Sequence, residues 1–174
     1  MVWQNVRDEI EHMDRHSSKK TGRHNRRQSN VPASLHVVSQ YATALESRDG
    51  ERMAALRSPE FVLDYVHRDA FGSDPLPAQA TQGFWAAWFS GFPEMDFEVT
   101  RTVAAERVVV LQWTLTGTHS GPLEAAAFGK HVEPTGRTIS LRGVSVFDVS
   151  EDLIQRETLY IDYATLWVEL GVEL

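Results

Sequence analysis

The hydrophobic pattern of this chain changes period along its length, and that change restricts the fold more than any single motif. Leu35, Val38, Ala42 and Leu45 recur at three- and four-residue intervals, the spacing of one helix face. Asp49-Gly50 is read as the end of that helix, and a second short helix is expected around Met53–Leu56, stopped by Ser58-Pro59. Phe61, Leu63, Tyr65 and His67 then alternate with Val62, Asp64, Val66 and Arg68, which predicts a strand. Pro75 and Pro77 mark a loop, and Phe84, Trp85, Trp88 and Phe89 belong to a third helix over about Thr81–Ser90. Beyond residue 94 two-residue alternation dominates. Met95 to Val103, Val109 to Leu115, Ile139 to Val149 and Leu153 to Ile161 each predict a strand. A last helix runs from Asp162, a plausible N-cap, to Leu170, with Gly171 at its end. Helices first and hairpin-linked strands later predict an α+β fold, a curved antiparallel sheet wrapped around helices.

At 174 residues the chain has room for one domain with a real core. Its net charge of −7 is unevenly spread: residues 1–30 carry a surplus of basic side chains and the remainder is strongly acidic. The acidic body repels phosphate backbones and argues against nucleic-acid binding. Residues 1–30 are read as a basic N-terminal extension, partly disordered, ahead of a domain over 31–174. Trp3, Val6, Ile10 and Met13 suggest a short amphipathic helix over Val2–His16, and the wholly polar stretch after it has nothing to bury. His12 and His16 are too few to make a metal site. No apolar run is long enough for a membrane helix, and the first sixteen residues lack a secretory apolar stretch. The absence of cysteine removes disulfides, thiolate metal sites and a thiol nucleophile, and it fits a cytoplasmic location.

Several segments, in order, resemble the SnoaL-like polyketide cyclase (ester cyclase) family of the NTF2-like superfamily. They are Phe92-Pro93 with Met95-Asp96, Gly117-Thr118-His119-Ser120-Gly121, Pro134-Thr135-Gly136-Arg137, Leu141-Arg142-Gly143 running to Phe147, and Ile154 to Gly171. The resemblance covers about Pro32 to Val172. It implies a conical α+β barrel with a pocket at its open end, a homodimer, and no metal or organic cofactor. It also implies an enzyme of secondary metabolism, of the kind met in antibiotic biosynthesis, acting on an apolar, polyketide-like small molecule. The family's catalytic Asp position, twelve residues before the closing Gly171, is occupied here by Leu159.

Acid/base chemistry must then come from another group. Glu157 shares the strand face with Leu159, and a carboxylate desolvated in an apolar pocket suits proton transfer near neutral pH. The competing reading is a rim carboxylate paired with an arginine such as Arg142. His67 is a second candidate, able to titrate near neutrality. Asp162 is a third, equally readable as a helix cap. Substrate-binding candidates are Tyr65, Trp85, Trp88, Trp113, His119, Ser145, Phe147 and Leu159, although at least half of the large rings are expected to be core. Two further functions stay open. One is epoxide opening of the limonene-epoxide-hydrolase-like type, with Arg101 or Arg142 beside Glu157. The other is a non-catalytic ligand-binding or dimerisation module.

Overall fold

A computed structural model describes residues 32–71, 74–124 and 128–173. The expected helix over Val2–His16, the linker after it and both tail histidines lie outside the described residues. The element order is α1 (Ala33–Glu46), α2 (Gly50–Ala55), β1 (Arg57–Tyr65), a 3-10 helix (Val66–Phe71), β2 (Leu76–Pro77), α3 (Ala78–Gly91), β3 (Asp96–Ala104), β4 (Val108–Thr118), β5 (Thr138–Ser150), β6 (Leu153–Ile161) and α4 (Tyr163–Leu170).

The strands form one curved, unclosed six-stranded sheet in the order β2-β1-β6-β5-β4-β3. Hairpin neighbours β3, β4, β5 and β6 pair antiparallel, as the alternation predicts. The expectation of an antiparallel sheet needs one correction: β1 and β6 run parallel, with Leu63 opposite Glu157 and Tyr65 opposite Leu159. These two strands are far apart in sequence, so no hairpin dictates their direction. Two local readings also change. His67 leaves the strand and enters the 3-10 helix, and the expected loop at Pro75–Pro77 includes the two-residue strand β2.

Asp49 opens α2 rather than closing α1. Its side chain accepts a hydrogen bond from the Arg52 backbone N–H at 2.9 Å, satisfying a donor at the helix start. The last helix ends as expected, with Gly171 at φ 70°, a conformation that glycine adopts without strain.

One face of the sheet is packed by the helices. Val37, Val38, Tyr41, Ala42, Ala44 and Leu45 form the buried stripe of α1, while Phe84, Trp85, Ala87 and Trp88 form that of α3. They meet the inward residues Leu63, Tyr65, Leu111, Trp113, Phe147 and Leu159 in one core. The segments Phe92–Asp96, Gly117–Gly121 and Pro134–Arg137 lock together at one end of this core. The Gly91 carbonyl accepts from the backbone N–H groups of Ser120 and Gly121, both at 3.2 Å, and the His119 N–H donates to the Arg137 carbonyl at 2.8 Å.

Trp113 on β4 lies across Gly143, its partner on β5. A Cβ on Gly143 would come within 2.2 Å of the indole ring. Overpacking of this kind costs about 1–3 kcal/mol. Gly143→Ala is therefore expected to lower the urea midpoint by a corresponding amount with an unchanged slope, whereas an unaltered midpoint would show that the ring moves freely.

Candidate functional site

Strand parity puts a carboxyl group into the interior. On β6 the inward positions include Glu157 and Leu159, and Glu157 is only 1% exposed. Neighbouring elements bring three hydroxyl or ring donors and a guanidinium to it. The Tyr41 hydroxyl, from α1, donates to Glu157 Oε2 at 3.1 Å, and the Ser145 hydroxyl, from β5, donates to Oε1 at 3.0 Å. Trp113 Nε1–H donates to Ser145 Oγ at 3.1 Å. Arg57, at the first position of β1, donates to the Tyr41 hydroxyl oxygen.

The direction of these bonds matters. Arg57 and Trp113 have only protons to give, so Tyr41 and Ser145 accept from them and pass their own hydroxyl protons on to the carboxyl. Both donor chains end on Glu157, an arrangement that favours its charged form. Burial acts the other way and is the larger effect, holding the Glu157 pKa above the usual carboxylate range; Arg57, Ser145 and Tyr41 pull it back in part. Burial likewise pushes the Tyr41 phenol up, with the adjacent Glu157 charge adding to it. The guanidinium of Arg57 lies over the rings of Tyr41 and Phe61, at 5.1 and 4.8 Å from their centroids.

The other predicted residues fall into separate groups. Tyr65 and His67 meet the terminal helix: His67 stacks on Tyr163 at 4.3 Å, and the Tyr65 and Tyr163 rings lie 5.3 Å apart. Burial lowers the His67 pKa, since desolvation disfavours the charged imidazolium. The Tyr65 and Tyr163 hydroxyls are both buried without a hydrogen-bond partner. Asp162 is the N-cap of α4, accepting from the Thr165 backbone N–H at 3.1 Å and from its hydroxyl at 2.6 Å. Those bonds hold its pKa below the usual range, as the cap reading of Asp162 implies.

His119 is fully buried, and its Nδ1 accepts from the Thr135 backbone N–H at 3.2 Å, which assigns the ring proton to Nε2. It lines none of three cavities among the described residues, and its ring packs 5.5 Å from Phe92. Through Nδ1 His119 ties two loops together, while its Nε2 is buried with no hydrogen-bond partner among the described residues. Trp88, Phe147 and Leu159 are core residues that also line none of these cavities. Among the described residues no group of three potential ligands is placed to hold a metal ion.

Those cavities differ in character. One of about 830 Å³ lies at the outer face of the sheet and includes His67, Asp162, Arg142, Tyr160 and Trp113. One of about 440 Å³ lies between α2 and α3 and includes Arg57, Trp85 and Phe89. The third, of about 500 Å³, lies along the far side of α3. The two arginines expected beside Glu157 are elsewhere: Arg142 is exposed in the outer cavity, on the strand face opposite to Glu157, and Arg101 is exposed on β3. Sequence reasoning missed Arg57 and Tyr41. Arg57 lies before an irregularity in β1, where Ser58 is buried and Pro59 exposed, so the alternation of Phe61, Leu63 and Tyr65 does not extend to it and no periodic signal marks it. Tyr41 falls in the apolar stripe of α1, three residues after Val38.

With this geometry in place, comparison defines the class. The chain belongs to the SnoaL-like domain family, which it matches over residues 38–157. A search of curated proteins finds no match. Among solved structures, a candidate SnoaL-like polyketide cyclase from Jannaschia sp. CCS1 superposes with a TM-score of 0.68 at 18% identity, over 84% of this chain and 99% of that one. IdmH from Streptomyces antibioticus, a candidate polyketide cyclase, gives 0.64 at 23% identity, over 80% and 99%. AclR from Streptomyces galilaeus, a candidate hydroxylase, gives 0.66 at 22% identity, over 79% and 80%. The fold is NTF2-like, with its sheet left open.

Arg57 is the cationic member of the Glu157 network, and its loss leaves a buried carboxyl with less support. A carboxyl whose pKa is raised by folding contributes most to stability at acid pH, and that contribution is lost as pH rises through the raised value. Arg57→Met raises the Glu157 pKa further. Its destabilisation is expected to be small near pH 5 and to grow towards about 3–5 kcal/mol at pH 8, as read by urea unfolding of variant and parent at both pH values. A pH-independent difference would contradict the coupling.

Proposed function

We propose that the chain is a cofactor-free acid/base enzyme acting on a polyketide-like small molecule, with Glu157 as the proton-transfer group. The single observation carrying this reading is the buried Glu157 carboxyl, raised in pKa and joined to its surroundings only through hydroxyl donors. The candidate cyclase roles of IdmH and the Jannaschia protein support the substrate class. In a ring closure of this kind, a base removes a proton beside a carbonyl and the resulting carbanion attacks a second carbonyl. The new carbon–carbon bond leaves an alkoxide, which takes a proton back. Both Glu157 oxygens are engaged, so a proton reaching the carboxyl passes through the Tyr41 or Ser145 hydroxyl, and since neither hydroxyl lines the three cavities described, this route requires the core to open beside them. Isomerisation and dehydration use the same two proton transfers.

This reading extends to a role in secondary metabolism, in the cytoplasm and as a homodimer. Val103, Val108 and Tyr160, exposed on the outer sheet face, support packing against a second copy. Epoxide opening is less well supported, since Glu157 is the single carboxylate in the buried network and that reaction needs two. Non-catalytic ligand binding is the second reading, favoured by Leu159 at the family's acid position and by the complete enclosure of Glu157.

Glu157→Gln keeps the shape of the side chain and removes its proton transfer. Turnover of a polyketide-like substrate is expected to fall by about 10²–10⁴-fold while the circular dichroism spectrum stays unchanged. Full activity in this variant would assign catalysis elsewhere, with the His67–Tyr163 pair next in line. A parent chain that binds such compounds and turns none over would support the binding module.

A further inference from the structure

We infer that residues 2–16 pack across the outer face of the sheet of their own chain, the face that the core helices leave bare. The inference goes beyond the proposed activity and does not depend on it. A second copy draws on the same face, so it reaches that surface only where the segment has left it.

The outer face carries a continuous apolar patch. Strand pairing sets Val103 beside Val110 and Val110 beside Val146 in one row, and Val144 beside Tyr160 in the next. Four large hydrophobic side chains are exposed among the described residues, and three of them belong to this face: Val103 at 56%, Tyr160 at 48% and Val108 at 37%. The surface is not flat, because the cavity of about 830 Å³ opens between Thr100, Gln112, Thr114, Arg142, Val144 and Tyr160. A concave face of this kind receives the apolar side of a helix, with a large ring as its anchor.

Three observations name the occupant. Trp3, Val6, Ile10 and Met13 share one side at helical spacing, and the stretch Ser17–Asn30 has no apolar side chain for them to bury against. The described chain also begins at the edge of this face. Pro32 precedes α1, and the Ser34 hydroxyl donates to the Ala105 carbonyl at 2.8 Å, in the turn that joins β3 to β4 between Val103 and Val108. Residues 17–31 can extend to about 50 Å, so all of the face is within reach. A helix over residues 2–16 would be about 22 Å long, enough to cross β3–β6 at about 4.8 Å per strand. The tether gives the segment an advantage over a second copy by raising its local concentration. Charge points the same way. Asp8, Glu9, Glu11 and Asp14 against Arg7 and Arg15 leave residues 2–16 with a net of −2. Arg101 ends the Gln112–Val144–Tyr160 row and Arg142 stands in the next row, and neither makes a hydrogen bond or ion pair with a described residue. Arg156, the third arginine of the face, is paired with Asp64, and the acids Asp96, Glu98 and Asp148 lie outside the two apolar rows. A symmetric contact of two such faces would instead bring like surfaces together, arginines included.

The test uses the full chain, whose lack of cysteine lets Gln4→Cys carry a single nitroxide label on the side away from Trp3, Val6, Ile10 and Met13. In the NMR spectrum of the isotopically labelled chain, the backbone amides of Val110, Val144, Val146 and Tyr160 are expected to lose most of their intensity to the nitroxide. Those of Glu51 and Gln82, exposed on the helices of the other layer, are expected to keep theirs. Val6→Asp together with Ile10→Asp should restore the lost intensity, and so should Val103→Asp on the exposed face. A nitroxide-bearing chain without isotopes, mixed with an isotopic chain without nitroxide, should produce no loss, because the contact lies within one chain. Equal losses on both layers, losses centred on the helices, or no loss on the outer rows would each overturn the inference. Loss in the mixed sample would overturn it too and would assign the face to a second copy.

Discussion

A glutamate enclosed by protein needs its hydrogen-bond partners as well as its burial, and the interior of this chain is arranged around that need. Glu157 receives one donor on each oxygen, and behind each donor stands a second residue that has only protons to give. The positive charge nearest to it, Arg57, acts across the Tyr41 hydroxyl rather than by direct contact. Five elements meet in this network: α1 supplies Tyr41, β1 Arg57, β4 Trp113, β5 Ser145 and β6 Glu157. A displacement of any one would leave a buried polar group unpaired, at a cost of about 1–3 kcal/mol. The network therefore couples the position of α1 to the register of the sheet.

Three of the segments that carry the family likeness do different work. Phe92–Asp96, Gly117–Gly121 and Pro134–Arg137 form a lock at the end of the core, through backbone hydrogen bonds at Gly91 and His119 and through the Thr135–His119 pair. They fix the ends of α3, β4 and β5, which in turn fixes where Trp85, Trp113 and Ser145 stand. Two further segments of the likeness, Leu141 to Phe147 and Ile154 to Gly171, carry Ser145 and Glu157 of the buried network, while Tyr41 and Arg57 lie outside all of the segments.

Much of the fold was legible because periodicity is a property of burial. Every long helix and strand of the described residues was marked by its apolar spacing, as was the inward orientation of Glu157 by its parity with Leu159. Asp162 and Gly171 were readable because helix ends need a side-chain acceptor and a left-handed residue. Other features depended on partners distant in sequence. The parallel pairing of β1 with β6 leaves no local trace. Arg57 looks like a surface residue, and the irregularity that follows it in β1 hides its inward position from any alternation. Tyr41 looks like core until its hydroxyl is followed to Glu157. His119 was marked by its place in the Gly117–Gly121 segment, and its Nδ1 is engaged by Thr135. Arg142 was the natural partner for Glu157 on paper, but the strand pleat turns it to the opposite face.

The account's central claim is that burial outweighs the donors around Glu157 and keeps its proton affinity high enough for acid/base work. A carbon-13 NMR titration of the chain labelled in its glutamate side-chain carboxyls, with Glu157→Gln used to assign the signal, measures this directly. The account predicts that Glu157 titrates clearly above the ordinary range of about 4–5. A midpoint within or below that range would mean that Arg57, Tyr41 and Ser145 dominate, and that Glu157 is a structural carboxylate with no proton to exchange near neutral pH.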